Sequence, residues 1–318
     1  MIRAFLRLFR RRNPMTEAPP TAQQDDTSLT TDDWPGEPLV LVGNPRLGST
    51  PRSFPTAPES PPDSMIDGHE VADLVVRAAS LRGDDHRWYG EPRQDSFAVH
   101  KLSTPGGEAL LCCVADGVGS KPLSHIGSAA LCRLLGPVIA PYAADLLDPE
   151  QEGMLRTRLA SLITEVSKLL GKKADEYREQ PSALSTTLVA ALFGPVTGGR
   201  RQAVLFAVGD SPAFVLRDGM IEEPFGAEDP VELAGGATAA LPASVGEVTA
   251  SVAELAAGDV VVLCTDGLGN PMKNTGVSDK ILAWWQGSPP NMAEFYWQLS
   301  FRAQSFGDDR TAVCVWVR

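Results

Sequence analysis

Four apolar runs in this chain begin or end on an aspartate, and two of those aspartates are followed by glycine. Ala109–Ala115 (ALLCCVA) ends at Asp116-Gly117, and Val260–Thr265 (VVVLCT) ends at Asp266-Gly267. Asp95 stands just ahead of Ser96–Leu102, and Asp308-Asp309 just ahead of Thr311–Val317 (TAVCVWV). A further segment, Val208-Gly209-Asp210-Ser211, has the same form. Short apolar runs rich in Val and Leu, bounded by Gly and Asp, are buried strands. A single Asp-Gly is an ordinary turn dipeptide, as Arg217-Asp218-Gly219-Met220 is expected to be. Aspartates repeated at strand ends are more specific, because strand ends of one sheet can converge.

The order of elements gives the fold class. Val71–Leu81, Ser96–Leu102 and Ala109–Ala115 are followed by helical spacing over Ser124–Ala140 and Gln151–Arg178. Strands return at Ser185–Phe193, Gln202–Val208, Pro212–Arg217 and Val260–Thr265. Helices are predicted over Ser278–Trp285 and Asn291–Ser305, and a strand closes the chain. This is not regular βαβ alternation. It predicts an α+β protein with antiparallel sheets and helices packed outside them.

With 318 residues, 43% of them hydrophobic, the chain can bury a sizeable core. A net charge of −12 argues against a general nucleic-acid binder. The five cysteines are odd in number and show no CxxC spacing, so buried reduced thiols and a cytoplasmic location are expected. No apolar run reaches the ~20 residues that cross a bilayer. Residues 1–67 are expected to be a disordered Pro/Ser/Thr-rich extension, within which Pro38–Gly43 is a candidate to dock as an extended stretch. The extension starts with MIRAFLRLFRRRNP, which is either a basic tail or an amphipathic membrane contact. Residues 68–318 are expected to form the folded domain.

The aspartates suggest a chemistry. Hard divalent cations take oxygen ligands. Asp carboxylates are short, so the backbone fixes their direction, and a following Gly allows close approach. Several carboxylates packed together repel one another unless cations neutralise them. Two ions sharing one carboxylate can activate a water for attack on phosphorus.

The motif series RQDSF (Arg93–Phe97), VADGVGS (Val114–Ser120), STTLVAALF (Ser185–Phe193), AVGDSPAFVLRDG (Ala207–Gly219), LCTDGL (Leu263–Leu268) and DDRTAVCV (Asp308–Val315) resembles the metal-dependent type 2C (PPM family) Ser/Thr protein phosphatases. The segment from Arg82 to Pro92 is similar to a bacterial subgroup of that family. The resemblance implies a four-layer α-β-β-α sandwich and a PPM-type phosphatase domain that hydrolyses phosphoserine and phosphothreonine. It implies a water activated between two Mn²⁺ or Mg²⁺ ions, and no phosphoenzyme. By the same carry-over, Asp116 bridges both ions and Gly117 offers its carbonyl oxygen. Asp266 and Asp308 complete the first ion's shell, Asp95 holds waters on the second, and Asp210 fixes its own loop. Arg87 and Arg93, with His86 beside them, are the phosphate-binding candidates. The expected partners are phosphorylated proteins, among them a Ser/Thr kinase and its substrates.

The chain departs from the family pattern at several points. Gln94 replaces an acid before Asp95, and Val118 stands where many relatives have a His. Asp309 replaces the usual Asn, and Ser185 the usual Gly. No acid directly precedes Ser185, so a third metal site would need Asp175 or Glu179. These departures motivate an alternative, a non-catalytic phosphoprotein-binding scaffold. Met220–Val252 corresponds to a flap beside the metals in relatives.

Overall fold

The computed structural model describes residues 38–48, 50–225 and 239–318. Its strands are β1 (Val40–Val42), β2 (Ser64–Val71), β3 (Leu74–Leu81), β4 (Ser96–Thr104), β5 (Gly107–Ala115), β6 (Leu188–Thr197), β7 (Arg200–Val208), β8 (Ala213–Arg217), β9 (Met220–Glu222), β10 (Thr249–Leu255), β11 (Val260–Cys264), β12 (Arg302–Ala303) and β13 (Arg310–Val317). The helices are α1 (Asp84–Tyr89), α2 (Ser124–Ile139), α3 (Ala143–Leu146), α4 (Leu155–Glu176), α5 (Asp266–Met272), α6 (Thr275–Trp285) and α7 (Met292–Leu299).

Two antiparallel sheets carry the fold, with strand orders β10-β7-β6-β5-β4 and β2-β3-β13-β11-β8-β9. Side chains alternate across each strand, so one strand feeds two cores. In β5, Leu111, Cys113 and Ala115 pack with Leu131, Leu135, Ile163 and Leu170 of α2 and α4. The intervening Leu110, Cys112 and Val114 pack with Leu74, Val76, Val261 and Val313 of the other sheet. On that sheet's far face, Val260, Val262, Cys314 and Trp316 meet Ile281, Trp285, Phe295 and Leu299 of α6 and α7. The result is the expected order of helices, sheet, sheet and helices, with three cores between four layers.

Local differences from the sequence expectations have physical causes. The run Val71–Leu81 contains a hairpin turn, with Ala72 at φ 54° between β2 and β3. Helix α4 begins only at Leu155, because Pro149–Met154 forms a 3-10 turn capped by Asp148. The helix expected to run to Ser305 stops at Leu299, where the chain leaves to pair β12 in parallel with β1. Asp218 (φ 49°) and Gly219 (φ 79°) form the expected tight turn, both in the left-handed region. All five cysteines are buried and free.

The unstructured extension to residue 67 also needs correction. Residues 1–37 lie outside the described residues, but β1 docks on β12 and β2 already starts at Ser64. Asp63 pairs with Arg82 and Arg87, and the Pro58 carbonyl lies 2.7 Å from His125 Nε2. The bilayer statement is corrected too. Ser124–Leu146 is long and apolar enough to cross a membrane by length and composition, but 56% of that window is buried, as suits a core helix.

Candidate functional site

Strand register brings the aspartates to one edge. Ser96 pairs with Ala115, so Asp95 before β4 and Asp116 after β5 lie at the same end of the first sheet. Cys264 pairs with Ala312 and Arg310 with Leu81, so Asp266, Asp308-Asp309 and Gly83 share one end of the second sheet. Thr265 joins the two ends by donating its hydroxyl to Asp95 Oδ2 at 2.8 Å.

Backbone contacts fix each aspartate. The Asp116 carbonyl accepts from Thr187 N and Thr186 Oγ1, both at 2.8 Å, and Asp116 N donates to Thr187 Oγ1 at 3.1 Å. Thr186 and Thr187 are therefore supports beside the site. Asp266 opens α5, and Asn270 Nδ2 donates to its Oδ2. The buried Arg310 donates to the Gly267 carbonyl at 2.9 Å and so ties the start of α5 to β13. A Cβ on Gly267 would lie 1.8 Å from the Asp309 carbonyl oxygen, and one on Gly117 would lie 2.8 Å from that of Gln94. Both glycines let separate backbones pack against each other at the site.

The four carboxyl groups sense one another. Burial pushes Asp95 well above the usual carboxylate range, and the charges of Asp309 and Asp308 add to the shift. Asp116 is also held well up, first by burial and then by Asp95, Asp266 and Asp308; its carboxyl hydrogen-bonds that of Asp266. Asp266 is raised by burial and then by Asp210. Asp308 lies at the rim with its side chain 58% exposed, and partial desolvation followed by Asp309 lifts it to about 6. A cluster of this kind must be held by protons or by cations. The donor set is all hard oxygen, which fits Mn²⁺ or Mg²⁺.

Both phosphate-binding candidates, Arg87 and Arg93, already hold protein partners. Arg87 makes a two-pronged pair with Asp63 (Nη2 to Oδ2 2.8 Å, Nε to Oδ1 3.1 Å). Arg93 is buried and donates to Ser80 Oγ and the Asp95 carbonyl, both at 2.5 Å, and to the Pro62 carbonyl. Each guanidinium is committed to a protein partner that positions a neighbour of the site. Gln94 also faces inward. Its Oε1 accepts from Ser124 Oγ and its carbonyl from Ser128 Oγ, so it anchors the Asp95 loop to α2.

Asp309 is the residue that sequence reasoning undervalued. Its buried Oδ1 accepts from Gly83 N (2.7 Å) and lies 2.8 Å from His86 Nδ1; its Oδ2 accepts from Gln94 N (2.5 Å) and Asp95 N (3.4 Å). One carboxylate thus gathers α1, the Asp95 loop and β13. The only hint in the sequence is the Asp308-Asp309 doublet. His86, Asp308 and Asp309 bring one ligating atom each within 4.8 Å of one another. That triad is better described as an ion pair than a cation site. Burial opposes the His86 imidazolium, but Asp309, Asp308 and Glu91 outweigh it and raise its pKa to about 9.

The family model described as Protein phosphatase 2C matches residues 82–293, a span that contains Asp95, Asp116 and Asp266 and ends before Asp308. No curated protein sequence matches the chain. Among solved structures, a serine/threonine phosphatase from S. agalactiae is 18% identical with a TM-score of 0.53, over 77% of this chain and 100% of its own. Serine-threonine phosphatase 2C from Toxoplasma gondii is 15% identical with a TM-score of 0.55, over 81% and 100%. PppA of Pseudomonas aeruginosa, described as a regulatory component of T6SS, is 23% identical with a TM-score of 0.50, over 78% and 99%. At these identities the solved structures establish the shared fold.

Proposed function

The chain belongs to the protein phosphatase 2C family, and from that premise we propose that it hydrolyses phosphoserine and phosphothreonine in proteins with the help of two Mn²⁺ or Mg²⁺ ions. The observation that carries the proposal is the strand register that sets Asp95 and Asp116 at one end of the first sheet and Asp266 and Asp308 at one end of the second, with the Thr265 hydroxyl donating to Asp95 between them. In this reading Asp116 would be shared between the two ions, with the Gly117 carbonyl beside it. Asp266 and Asp308 would complete one shell, and Asp95 would serve the other. Such ions supply Lewis acidity towards phosphoryl oxygens and lower the pKa of a water.

The chain's own residues supply the order. Thr186 and Thr187, just ahead of β6, hold Asp116 in place, and Thr265 aims Asp95 across the gap between the sheets. Arg93 grips the Asp95 carbonyl, and Asp309 the amide of the same residue. Rigid support of this kind keeps carboxylates in productive geometry without reorganisation during the reaction. The partners that fit are phosphorylated proteins, including a Ser/Thr kinase and its substrates. Five free, buried cysteines support a reducing, cytoplasmic setting.

The test is hydrolysis of p-nitrophenyl phosphate. Activity should appear on adding Mn²⁺ and vanish on chelation. A chain that stays inert over a full Mn²⁺ titration, with its fold intact by circular dichroism, would sink the proposal.

A further inference from the structure

The two most exposed large hydrophobic side chains among the described residues are Phe54, 92% exposed, and Tyr89, 70% exposed. They are far apart in sequence, yet their segments touch. A Cβ on Gly90 would lie 2.1 Å from Ser53 Oγ and 3.5 Å from the Phe54 carbonyl oxygen. Arg52 N donates to the Arg87 carbonyl at 3.2 Å, and the Arg52 guanidinium stacks 3.9 Å from the centre of the Trp88 ring. The segment before β2 is thus strapped onto α1. The strap covers the Trp88 ring and leaves Phe54 and Tyr89 uncovered. Leaving two large rings in water is unfavourable, and clustered exposed aromatic surface marks interaction sites.

Helix α1 links Tyr89 to the carboxylates. His86, one turn before Tyr89 on the same helix, lies 3.7 Å from Asp308 and 3.5 Å from Glu91. The same rim carries exposed acids: Asp85, whose amide donates to the Gly307 carbonyl, and Glu91. A helical turn rises ~5.4 Å. Adding the His86–Asp308 gap of 3.7 Å gives a path of roughly three extended residues at ~3.3–3.6 Å each. The surface therefore runs from carboxylates, past an acidic rim, to two rings.

We infer that Phe54 and Tyr89 form a docking step for the polypeptide that flanks the phosphorylated residue of the substrate. The occupant is a phosphoprotein segment with an aromatic or large aliphatic side chain about three positions from the phosphoresidue and basic residues in between. The acidic rim supplies the complementary charge. This rests on the phosphatase reading of the cleft and adds a substrate class to it. Phe54 and Tyr89 touch no reacting atom, so their effect falls on KM for peptides.

The experiment uses the full chain, the variant Phe54→Ser/Tyr89→Ser and two phosphothreonine peptides. Both peptides carry Lys at the second positions; one has Phe and the other Ser at the third positions on both sides. The wild type should prefer the Phe peptide at least fivefold in kcat/KM, mainly through KM. The double variant should lose that preference, with kcat/KM for the Phe peptide falling at least fivefold more than kcat/KM for p-nitrophenyl phosphate. The inference is overturned if the wild type treats the peptides within twofold, or if the double variant keeps the preference. Should neither peptide nor p-nitrophenyl phosphate be hydrolysed, the phosphatase reading fails. Calorimetric dissociation constants for the same peptides then decide the docking claim by the same fivefold criterion.

Discussion

Replacing Asp116 by Ala should reduce Mn²⁺-dependent hydrolysis of p-nitrophenyl phosphate by a factor of at least about 10³, which corresponds to roughly 4 kcal/mol of transition-state stabilisation. The size follows from position. Asp116 is the carboxyl that feels Asp95, Asp266 and Asp308 together, so no neighbour can stand in for it. Its backbone is held by Thr186 and Thr187 whatever its side chain is, so the loop should keep its place in the variant. This separates lost chemistry from lost fold. Because burial and neighbouring charge push the Asp116 carboxyl well up, its removal relieves repulsion. The melting temperature of metal-free Asp116→Ala should therefore equal or exceed that of the metal-free wild type. Activity above about a tenth of wild type, or a variant that melts many degrees lower, would contradict the assignment.

The second large effect is on stability. Mn²⁺ at a thousand times its dissociation constant should stabilise the native state by about 4 kcal/mol per site. For a domain of this size that is an upward shift of about 10 °C in melting temperature. Its dependence on pH has a definite sign. The raised carboxyls of Asp95, Asp116, Asp266 and Asp308 bind more protons folded than unfolded, and so does His86 between its usual value and about 9. Groups raised in the folded state contribute stability that is lost as pH rises through their folded values. The metal-free protein should accordingly melt at a higher temperature at pH 6 than at pH 8.5. Cations bind the deprotonated carboxylates, so the increment from Mn²⁺ should run the other way and be larger at pH 8.5. Differential scanning calorimetry at the two pH values, with chelator and with Mn²⁺, checks both signs. A metal-free protein that gains stability towards pH 8.5 would contradict the crowded-carboxylate description.

The parts legible in the sequence are those set by local pattern. Apolar runs such as Ala109–Ala115 and Val260–Thr265 mark strands, and strands mark where Asp116 and Asp266 must emerge. In an antiparallel sheet one strand's end meets its neighbour's start, which brings Asp95 beside Asp116 through the Ser96–Ala115 pair. What stayed hidden depends on partners distant in sequence. Nothing in the residues around Arg87 says that Asp63 lies across from it, and nothing around Gln94 says that Ser124 and Ser128 receive it. The role of Asp309 needs four partners from two distant segments, residues 83–86 and 94–95, which only the assembled fold supplies. The start of β2 was masked for a related reason. Ser64–Val71 is half-exposed and polar in composition, and it becomes a strand by pairing with the apolar β3.

The account stands on one cleft where carboxylates from both sheets hold a pair of cations. Diffraction data from Mn²⁺-soaked crystals, collected at the manganese absorption edge, test it most directly. Two anomalous peaks are expected, each within about 2.0–2.6 Å of oxygen ligands, with Asp116 touching both and Asp95, Asp266 and Asp308 around them. A single peak at His86, Asp308 and Asp309, or none within reach of Asp116, would contradict it.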